Sequence, residues 1–277
     1  MIPDLLLEYP ELSRVRICRL LGLSRSESYR KSAPEQRSLL EAIEKIVTTF
    51  LGYGYRRVHL ELLDQGVQVS CHEVRKTMRE EGLSIRSTKP KGITKCNPLD
   101  EKYENLLRKY EPTKVDEIWV TDMTLIRTRS GAVYLASLMD LFSRKVVAYA
   151  LSRNPDLVLA LKCLDQALDR RRPPVGWIHH SDRGSVYTAT EYVARVRMAG
   201  GRMSMSRAAT PTDNPNAESL FATIKKESVK GNRFESLIDL EMTMDHYIQG
   251  IYNPKRKHSS LGYLSPDQFE ARHGEVG

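Results

Sequence analysis

Residues 117–126 read EIWVTDMTLI, a strand-like stretch with an acid in its middle. β-Branched and aromatic residues such as Val120 and Trp119 favour a strand here. Aspartate is depleted in strand interiors and a buried acid is seldom without a partner, so Asp122 is unexpected on structural grounds. The stretch predicts a strand that holds a carboxylate for chemistry, and an acid on an edge strand is the plainer alternative.

The segments that follow predict an α/β domain. GAVYLASLMDLFS at 131–143 and KVVAYALS at 145–152 read as two further strands, which form an antiparallel meander with the first. The pattern continues with a helix opened by Asn154-Pro155, a strand at 176–182, a helix at 190–200, a strand at 202–206 and a helix from 214. That order predicts a mixed five-stranded sheet with helices.

The N-terminal part of the chain predicts helices only. Two short helices are expected over 13–30, and apolar residues at helical spacing predict another over 35–50. Ser70 and Glu73 form a capping box for a later helix that stops at Gly82.

A helix, a turn and a second, capped helix are the parts of a helix-turn-helix, whose second helix enters the major groove of DNA. Arg75 and Lys76 lie along that second helix and are the candidate DNA contacts. A small helical bundle with solvated charges explains the same pattern equally well, so both interpretations stay open at this point.

Composition narrows the class of protein. The chain has 277 residues and a formal charge of +8, which is compatible with a polyanionic partner without establishing one. The four cysteines are isolated, so neither a disulfide framework nor a thiolate zinc site is indicated. No apolar run approaches the ~20 residues that span a bilayer, and no basic region of a signal peptide opens the chain. A soluble cytoplasmic protein without a membrane span is expected.

The amino-acid composition also changes along the chain. Lys, Pro and polar residues dominate 86–114, which reads as a linker. The expected organisation is a helical, DNA-binding-like region at 1–85, this linker, an α/β core at 115–235, and a C-terminal helix with a basic tail at 236–277.

Three acids stand where structure alone does not require them: Asp122, Asp182 at the end of the strand-like stretch 176–182, and Glu218 near the start of the last core helix. Each has a plain explanation alone, as an edge-strand charge, a turn residue, or an acid favoured at a helix N-terminus. Together they offer three hard oxygen donors, which suit Mg²⁺ or Mn²⁺. Two such ions ~3.5–4 Å apart support in-line phosphoryl displacement, so the three acids predict a catalytic metal site.

Thirty-five residues, positions 183 to 217, separate Asp182 from Glu218. This spacing resembles that of transposases and retroviral integrases. The words WVTDMT, HSDRGSVY, SMSR, DNPNAESLFATIKKE and YNPKRKHSSLGYLSP resemble the OrfB part of IS3-family insertion-sequence transposases, and YGYRRVHLEL at 53–62 resembles that family's helical region. The resemblance runs from residue 35 to residue 270, and several ordered motifs make it far more specific than one pair of acids.

The resemblance implies a ribonuclease H-like catalytic core and a DNA transposase that depends on Mg²⁺ or Mn²⁺, with two ions per active site. Asp122 would contact both ions, and Asp182 and Glu218 would each complete one site. The implied partners are DNA, meaning the element ends and the target, and a second copy of the chain, because paired ends require at least a dimer. The family also implies an upstream OrfA product as a partner, and a bacterial, nucleoid-associated location.

Lys225 lies seven positions after Glu218, close to two helical turns, so the two side chains share a face if the helix continues. In related integrases a lysine at this offset touches DNA near the reactive end. The resemblance therefore implies a DNA contact for Lys225, and the neighbouring Lys226 is a second candidate. A solvated helix face is the alternative.

The C-terminal word YNPKRKHSSLGY sets Arg256, Lys257 and His258 between Tyr252 and Tyr263. Basic residues with aromatic neighbours suit contacts with the DNA backbone and its bases, so the three are further candidate DNA-binding residues. A solvated loop is the alternative.

Two words depart from the family pattern. Val186 stands where glutamine is frequent, and Ala-Ala-Thr-Pro at 208–211 follows SMSR where Gly-Asn is frequent. Neither replaces a candidate metal ligand, so these departures bear on target contacts and leave the chemistry in place. The sequence also has no His/Cys zinc-binding region of the retroviral type, which favours the bacterial branch.

Two other functions stay open on the sequence. One is a non-catalytic DNA-binding or regulatory partner of a longer, fused transposase. The other is a ribonuclease H-like nuclease that acts on RNA–DNA hybrids, against which the 35-residue spacing and the C-terminal word argue.

Overall fold

The computed structural model describes residue 9 and residues 13–22, 33–83, 103–207 and 214–274. Most of the linker predicted at 86–114, and half of the helix pair predicted at 13–30, lie outside these ranges. The chain divides into two compact units. The first unit comprises Met1–Thr49 and Val58–Ser84, and the second comprises Phe50–Arg57 and Ile85–Gly277.

The N-terminal part is helical, as the sequence predicts. Its helices are α1 (Arg14–Leu20), α2 (Ala33–Thr49), α3 (Tyr55–Asp64) and α4 (Cys71–Glu80).

Helix α4 begins at the predicted cap, because the Ser70 hydroxyl oxygen accepts a hydrogen bond from the backbone N–H of Glu73 at 3.2 Å. Val74 and Met78 are buried on one side of α4, and Arg75 and Lys76 are exposed on the other. This amphipathic pattern is why α4 packs in the unit and still presents its basic residues to solvent.

The second unit is built on a five-stranded mixed sheet, which confirms the predicted fold class. The strands are β1 (Ile118–Thr128), β2 (Gly131–Asp140), β3 (Val146–Ser152), β4 (Ile178–Ser181) and β5 (Arg202–Met205). Their order across the sheet is β3-β2-β1-β4-β5. The first three strands form the predicted antiparallel meander, and β4 pairs in parallel with both β1 and β5. Strand β1 is therefore central, with an antiparallel neighbour on one side and a parallel neighbour on the other.

The helices of the second unit cover both faces of this sheet. They are α5 (Leu157–Arg170), α6 (Ser185–Thr188), α7 (Thr190–Met198), α8 (Pro215–Ile224), α9 (Leu237–Tyr247), α10 (Asn253–Lys255) and α11 (Pro266–Gly274). No helix within the described ranges is long and apolar enough to cross a membrane.

Alternate residues of β1 enter two different cores. Trp119 packs in the core formed with α5 and α7, whereas Val120 and Ile126 pack in the core formed with α8 and α9. This two-residue period is the normal pleat of a strand. Asp122 has the parity of Val120, so its side chain leaves the sheet on the face that α8 covers.

Helix α8 does not continue as a regular helix through the two lysines. It ends at Ile224, and a π-helical turn follows over Lys225–Val229. The wider turn carries Glu227 and Ser228 into the interior, where the Ser228 hydroxyl donates to the carbonyl oxygen of Ile224 at 2.8 Å. Such π-turns inside helices occur frequently at functional sites.

Candidate active site

The parallel pairing of β1 with β4 brings two of the predicted acids together. The last pair in the register is Val120 with His180. Asp122 and Asp182 each lie two residues further along the same strand direction, so they stand at one level and leave the sheet on the same face. Asp182 comes just after β4 ends at Ser181. The carboxyl ends of parallel strands are where ligands of α/β sheets bind.

Burial and mutual repulsion shape the electrostatics of the two aspartates. The pKa of Asp122 is raised to about 7, chiefly by burial and then by the charges of Asp182 and Glu218, while the backbone hydrogen bond from Met123 and the charge of Lys225 act to lower it. Burial also raises the pKa of Asp182. Asp182, Glu218 and Lys225 therefore all lie close enough to Asp122 to shift its pKa.

Each aspartate has one oxygen fixed by its own backbone. Oδ1 of Asp122 accepts from the backbone N–H of Met123 at 2.7 Å, and Oδ1 of Asp182 accepts from that of Gly184 at 2.9 Å. Across the described part of the chain, Oδ2 of neither residue has a hydrogen-bond donor. A buried carboxylate with an open oxygen and a like-charged neighbour is destabilised unless a cation joins it.

Glu218 lies in the first turn of α8 and is exposed. The N-terminus of α8 is tied to β1, because Nδ2 of Asn214 donates to the carbonyl oxygen of Thr121 at 3.2 Å. Asn214 occupies the cap position without a side-chain capping bond, so it anchors the helix beside Asp122 instead of closing its first turn. Its Oδ1 is buried and has no hydrogen-bond partner among the residues that the structure describes.

The donor set fits a hard divalent cation in kind, since carboxylate oxygens are the ligands that Mg²⁺ and Mn²⁺ prefer. The structure assembles it only in part. No group of three His, Cys, Asp or Glu side chains within the described ranges is close enough to hold a metal ion. The two aspartates form the fixed half of the site, and Glu218 stands nearby on α8 without joining them.

Tyr187 is a neighbour of the acids that the sequence reasoning did not single out, although it stands in the word HSDRGSVY. It lies in the short helix α6 and is buried. Burial raises the pKa of its hydroxyl well above the ordinary value, and the charges of Tyr192, Asp122 and Asp182 add to that shift. The Tyr187 ring thus forms an apolar wall beside the two aspartates, which explains part of their desolvation.

The two lysines after α8 have different surroundings. Burial lowers the pKa of Lys225, and Asp122 acts in the opposite direction, so Lys225 faces the acids. Burial also lowers the pKa of Lys226, where Glu227 raises it and Arg57 and Arg256 lower it. Lys226 therefore belongs to a separate basic surrounding, and only Lys225 shares the acid side of α8 with Glu218.

The C-terminal candidates Arg256, Lys257 and His258 stay predictions, and the structure shows the surroundings of each. Arg256 is 4% exposed, and its guanidinium donates from Nε and Nη2 to the two carboxylate oxygens of Glu227 at 2.8 Å each. Arg256 therefore forms a buried ion pair with Glu227. The pKa of His258 is lowered to about 2 by burial and by the charges of Arg256, Arg57 and Arg144, so its neutral ring adds no positive charge.

The remaining candidates are accessible to different degrees. Lys257 is half-buried, and its backbone N–H donates to the hydroxyl oxygen of Tyr53 at 2.9 Å. On α4, Lys76 is exposed and lies 4.0 Å from Glu80 in a surface ion pair. Arg75 and Lys76 belong to the first unit, and the three acids belong to the second.

Comparison with known families agrees with this architecture. The family named Integrase core domain matches residues 112–211, and a second family of that name matches residues 199–266. An HTH-like domain matches residues 34–91. The helix-turn-helix interpretation of the N-terminal helices is thereby favoured over an ordinary helical bundle.

Solved structures are also similar to part of the chain, among them two catalytic domains. One is the integrase catalytic core domain of HTLV-2 in complex with magnesium, with a TM-score of 0.45, 16% identity, and coverage of 57% of this chain and 97% of that one. The other is the Mos1 transposase catalytic domain with raltegravir and manganese, with a TM-score of 0.41, 20% identity, and coverage of 49% and 72%.

Relatives with similar sequences span nearly the whole chain. A 31 kDa protein of insertion element IS600 from Shigella sonnei is 32% identical, covering 94% of this chain and 99% of its own length. The transposase of IS904 from Lactococcus lactis is 33% identical, covering 87% and 96%. Transposase InsF of IS3A from Escherichia coli is 31% identical, covering 94% of both. The chain therefore belongs to the IS3 family of insertion-sequence transposases, with an HTH-like domain followed by an integrase core domain.

Proposed function

We propose that the chain is the catalytic subunit of a metal-dependent DNA transposase, which cleaves one strand at an element end and transfers the freed 3′-hydroxyl to a second phosphodiester. The observation that carries this proposal is the pair of half-buried aspartates, Asp122 and Asp182, each of which has an open carboxylate oxygen and, among the interactions seen in the described part of the chain, no ion pair with an arginine. Such a pair is costly to keep in the fold unless it holds a cation, so its presence indicates a function that needs one.

Asp122 and Asp182 would hold Mg²⁺ or Mn²⁺ between them, and Glu218 would complete the site when α8 adjusts. With two ions bound, the metal charge would activate the attacking oxygen and stabilise the leaving one. The exposed position of Glu218 at the N-terminus of α8 is suited to such an adjustment, because only the first helical turn has to shift.

The chain's own residues would hold and orient the DNA strand. Lys225, on the acid side of α8, would bind a phosphate next to the reacting one. The buried ring of Tyr187 would keep water away from the aspartates, which strengthens every charge interaction among them. Asn214, through its bond to the carbonyl of Thr121, would fix where α8 and Glu218 stand relative to β1.

Partners and location follow from the same proposal. DNA would be bound by Lys225 and Lys226 in the core, by Lys257 in the tail, and by Arg75 and Lys76 on α4 of the HTH-like region. Paired element ends would require at least two copies of the chain. An OrfA product would supply a further DNA-binding segment, and the assembled protein would act at the bacterial nucleoid.

The domain assignment is part of the proposal as well. Residues 1–85 would bind element ends, 86–114 would link, 115–235 would catalyse, and 236–277 would contribute a basic tail. Residues 50–57 cluster with the second unit, so this segment of the first region would support the catalytic core.

A cleavage assay tests the proposal. A labelled linear DNA that carries the inverted repeats flanking the chain's own coding sequence is incubated with Mg²⁺ and wild-type protein, Glu218→Gln or Glu241→Gln. Glu241 is an exposed acid on α9 and serves as the matched control. We expect nicking at the element end by the wild type and the control, and none by Glu218→Gln. Equal nicking by all three would overturn the assignment of Glu218.

A second candidate function has one observation in its favour. Because Glu218 is exposed and the described residues contain no complete metal group, the isolated chain fits a non-catalytic DNA-binding partner of a longer, fused transposase. In the same assay this candidate predicts that wild type and both variants bind the DNA equally and that none nicks it. Nicking restored by adding the N-terminal OrfA segment would then identify that segment as the missing part.

A further inference from the structure

A polar cavity of about 250 Å³ lies against α8, outside the acid site. Helix α8 contributes Asn216, Ser219 and Thr223 to its wall. The rest of the polar lining consists of three arginines, one histidine and three hydroxyl-bearing residues: Arg57, Arg144, Arg256, His258, Tyr252, Ser259 and Ser260. We call this cavity the arginine pocket. All of its lining belongs to the second unit of the chain.

Two of the three arginines, Arg57 and Arg144, have no directly paired carboxylate among the described residues, although the charge of Glu227 acts on Arg57 and that of Asp140 acts on Arg144. Arg57 is half-buried, and its guanidinium lies 5.4 Å from the centre of the Tyr53 ring. Arg144 donates from Nη1 to Oδ1 of Asn216. In the described part of the chain neither arginine forms an ion pair. Burial lowers the pKa of both guanidinium groups, and the charge of Arg256 lowers that of Arg57 further.

The nearby carboxylates are already committed. Glu227 accepts from two nitrogens of Arg256 and from the Tyr247 hydroxyl. Asp140 accepts from Ser143 and from the backbone N–H of Asp116. The pair of Arg256 and Glu227 is therefore neutral, and the charges of Arg57 and Arg144 remain.

The lowered pKa of His258 is consistent with the same excess of positive charge in the pocket. Its imidazole is held neutral by burial and by the three arginines, so a further positive charge is not tolerated in the pocket. A neutral imidazole and the hydroxyl groups of Ser219, Ser259 and Ser260 still offer hydrogen bonds. A cavity with two unpaired guanidinium groups and several hydroxyls has the chemistry of a phosphate site.

We infer that the arginine pocket binds one phosphate group, and that this phosphate belongs to the DNA strand held at the acid site. The inference rests on the proposed function for its choice of DNA as the source of the phosphate. A free phosphate ion presents the same chemistry and is the other source. Arg57 stands in the YGYRR word, outside the matched integrase core at 112–266, so the pocket gives this arginine a role in that core's substrate binding.

The geometry of α8 sets the distance between the two sites. Ser219 follows Glu218 directly and therefore points about 100° away from it around the helix axis. A helix with its side chains is ~10–12 Å wide, and phosphates of one duplex strand follow one another every ~3.4 Å along the axis. A strand that crosses α8 from the acids thus reaches the pocket within a few nucleotides.

DNA affinity measured against salt concentration tests the inference. Full-length wild type is compared with Arg57→Gln/Arg144→Gln and with Arg197→Gln, using a labelled linear duplex that carries the element end. Arg197 is exposed on α7, over the opposite face of the sheet, and controls for the loss of charge. We expect the pocket variant to bind roughly 10-fold more weakly, and its slope of log K against log salt to fall by about 1 in magnitude, as for one lost phosphate contact. The control keeps the wild-type slope to within error.

A duplex with single neutral methylphosphonate linkages locates the contact on the wild type itself. One position a few nucleotides from the cleaved phosphate should weaken binding by the wild type and leave the pocket variant unaffected. Arg57→Lys/Arg144→Lys, which keeps the charge, should recover part of the affinity. Thermal unfolding of every variant shows whether it is folded.

The outcomes separate the two proposals. DNA binding by the wild type with an unchanged slope in the pocket variant overturns the arginine pocket and leaves the proposed function standing. No DNA binding by the wild type overturns the proposed function. If inorganic phosphate then raises the melting temperature of wild type but not of the pocket variant, the pocket binds free phosphate and DNA is the wrong source.

Discussion

Two charge clusters stand at either end of one helical run, one half-buried and one buried, and they are built in opposite ways. At the start of α8, Asp122 and Asp182 repel each other, and the charge of Lys225 partly offsets that repulsion. After α8, Glu227 is saturated by Arg256 and by the Tyr247 hydroxyl at 2.6 Å.

The second cluster behaves as part of the fold. Burial alone would lower the pKa of Arg256, but the hydrogen bonds and charge of Glu227 raise it above its ordinary value. Gly52 has a φ of +98°, and a Cβ there would stand 2.7 Å from Cγ of Glu227, so the backbone packs directly on this side chain. Both carboxylate oxygens of Glu227 accept hydrogen bonds, so this acid has no open oxygen comparable with those of the two aspartates.

The difference teaches how to separate a structural acid from a functional one. A buried carboxylate with a bidentate arginine stabilises the fold as long as both partners are present. A desolvated carboxylate pair without an arginine costs stability, and acids with such perturbed pKa values cluster at functional sites. Removing the acid from each cluster should therefore change different properties of the protein.

The largest effect is expected on catalysis from Asp122→Asn. Loss of one charged oxygen ligand at the centre of the site should lower the rate of strand cleavage by about 10³-fold or more. Binding of the element-end DNA, measured by gel shift, should stay within a few-fold of wild type because Lys225 and the other basic residues remain. Cleavage at the wild-type rate would mean that Asp122 is not a catalytic residue.

The next effect is on stability, from Glu227→Gln. This change leaves the charge of Arg256 buried without its partner, which typically costs about 3–5 kcal/mol. Chemical unfolding should show the loss as a lower midpoint, and Glu241→Gln on exposed α9 should show none. Glu227→Gln/Arg256→Gln should lose less than the two single changes added together. A midpoint equal to wild type for Glu227→Gln would mean that the pair is not structural.

Removing the acid should change the free energy of unfolding in opposite directions in the two clusters. The folded pKa of Asp122 is about 7, above the ~3.9 of an unfolded aspartate. The folded protein therefore loses stability as pH rises from about 4 to about 7, because Asp122 must ionise in a desolvated position. Above pH 7 the loss is complete.

In a chelator at pH 8, Asp122→Asn should then be more stable than wild type, on the order of 2–3 kcal/mol after allowing for solvent screening, and the gain should vanish near pH 4. Mg²⁺ should raise the melting temperature of wild type at pH 8 and leave that of Asp122→Asn unchanged. A variant less stable than wild type at pH 8 would mean that Asp122 is compensated after all.

The sequence was sufficient for the sheet and for the fixed part of the site. The strand at 117–126 and the two that follow carry their own signals, since alternation of apolar residues is a local property. The parallel return of residues 176–182 beside the first strand follows from the order of elements. Asp122 and Asp182 could therefore be expected to stand together.

What sequence periodicity could not show depends on distant partners. The π-helical turn at Lys225–Val229 breaks a pattern that reads as a continuous helix. It turns Glu227 inward because Arg256, twenty-nine positions later, meets it there. For the same reason Arg256 reads as a basic tail residue in the sequence and is a buried ion-pair partner in the fold. A local pattern has no means of recording a contact across that separation.

The smallest expected effect distinguishes the two lysines between the clusters. Lys225 faces Asp122, and Lys226 stands near Arg57 and Arg256. Lys225→Gln removes a phosphate contact beside the acids, so strand cleavage should fall roughly 10-fold, about the 1.4 kcal/mol of one charge-assisted contact. Lys226→Gln removes the same charge one residue later and should weaken DNA binding about 2- to 3-fold with the rate of cleavage at saturating DNA unchanged. Single-turnover assays at saturating DNA separate the two effects. Equal losses in cleavage rate would show that the acid side of α8 extends to both lysines, and that the boundary between the clusters lies beyond Lys226.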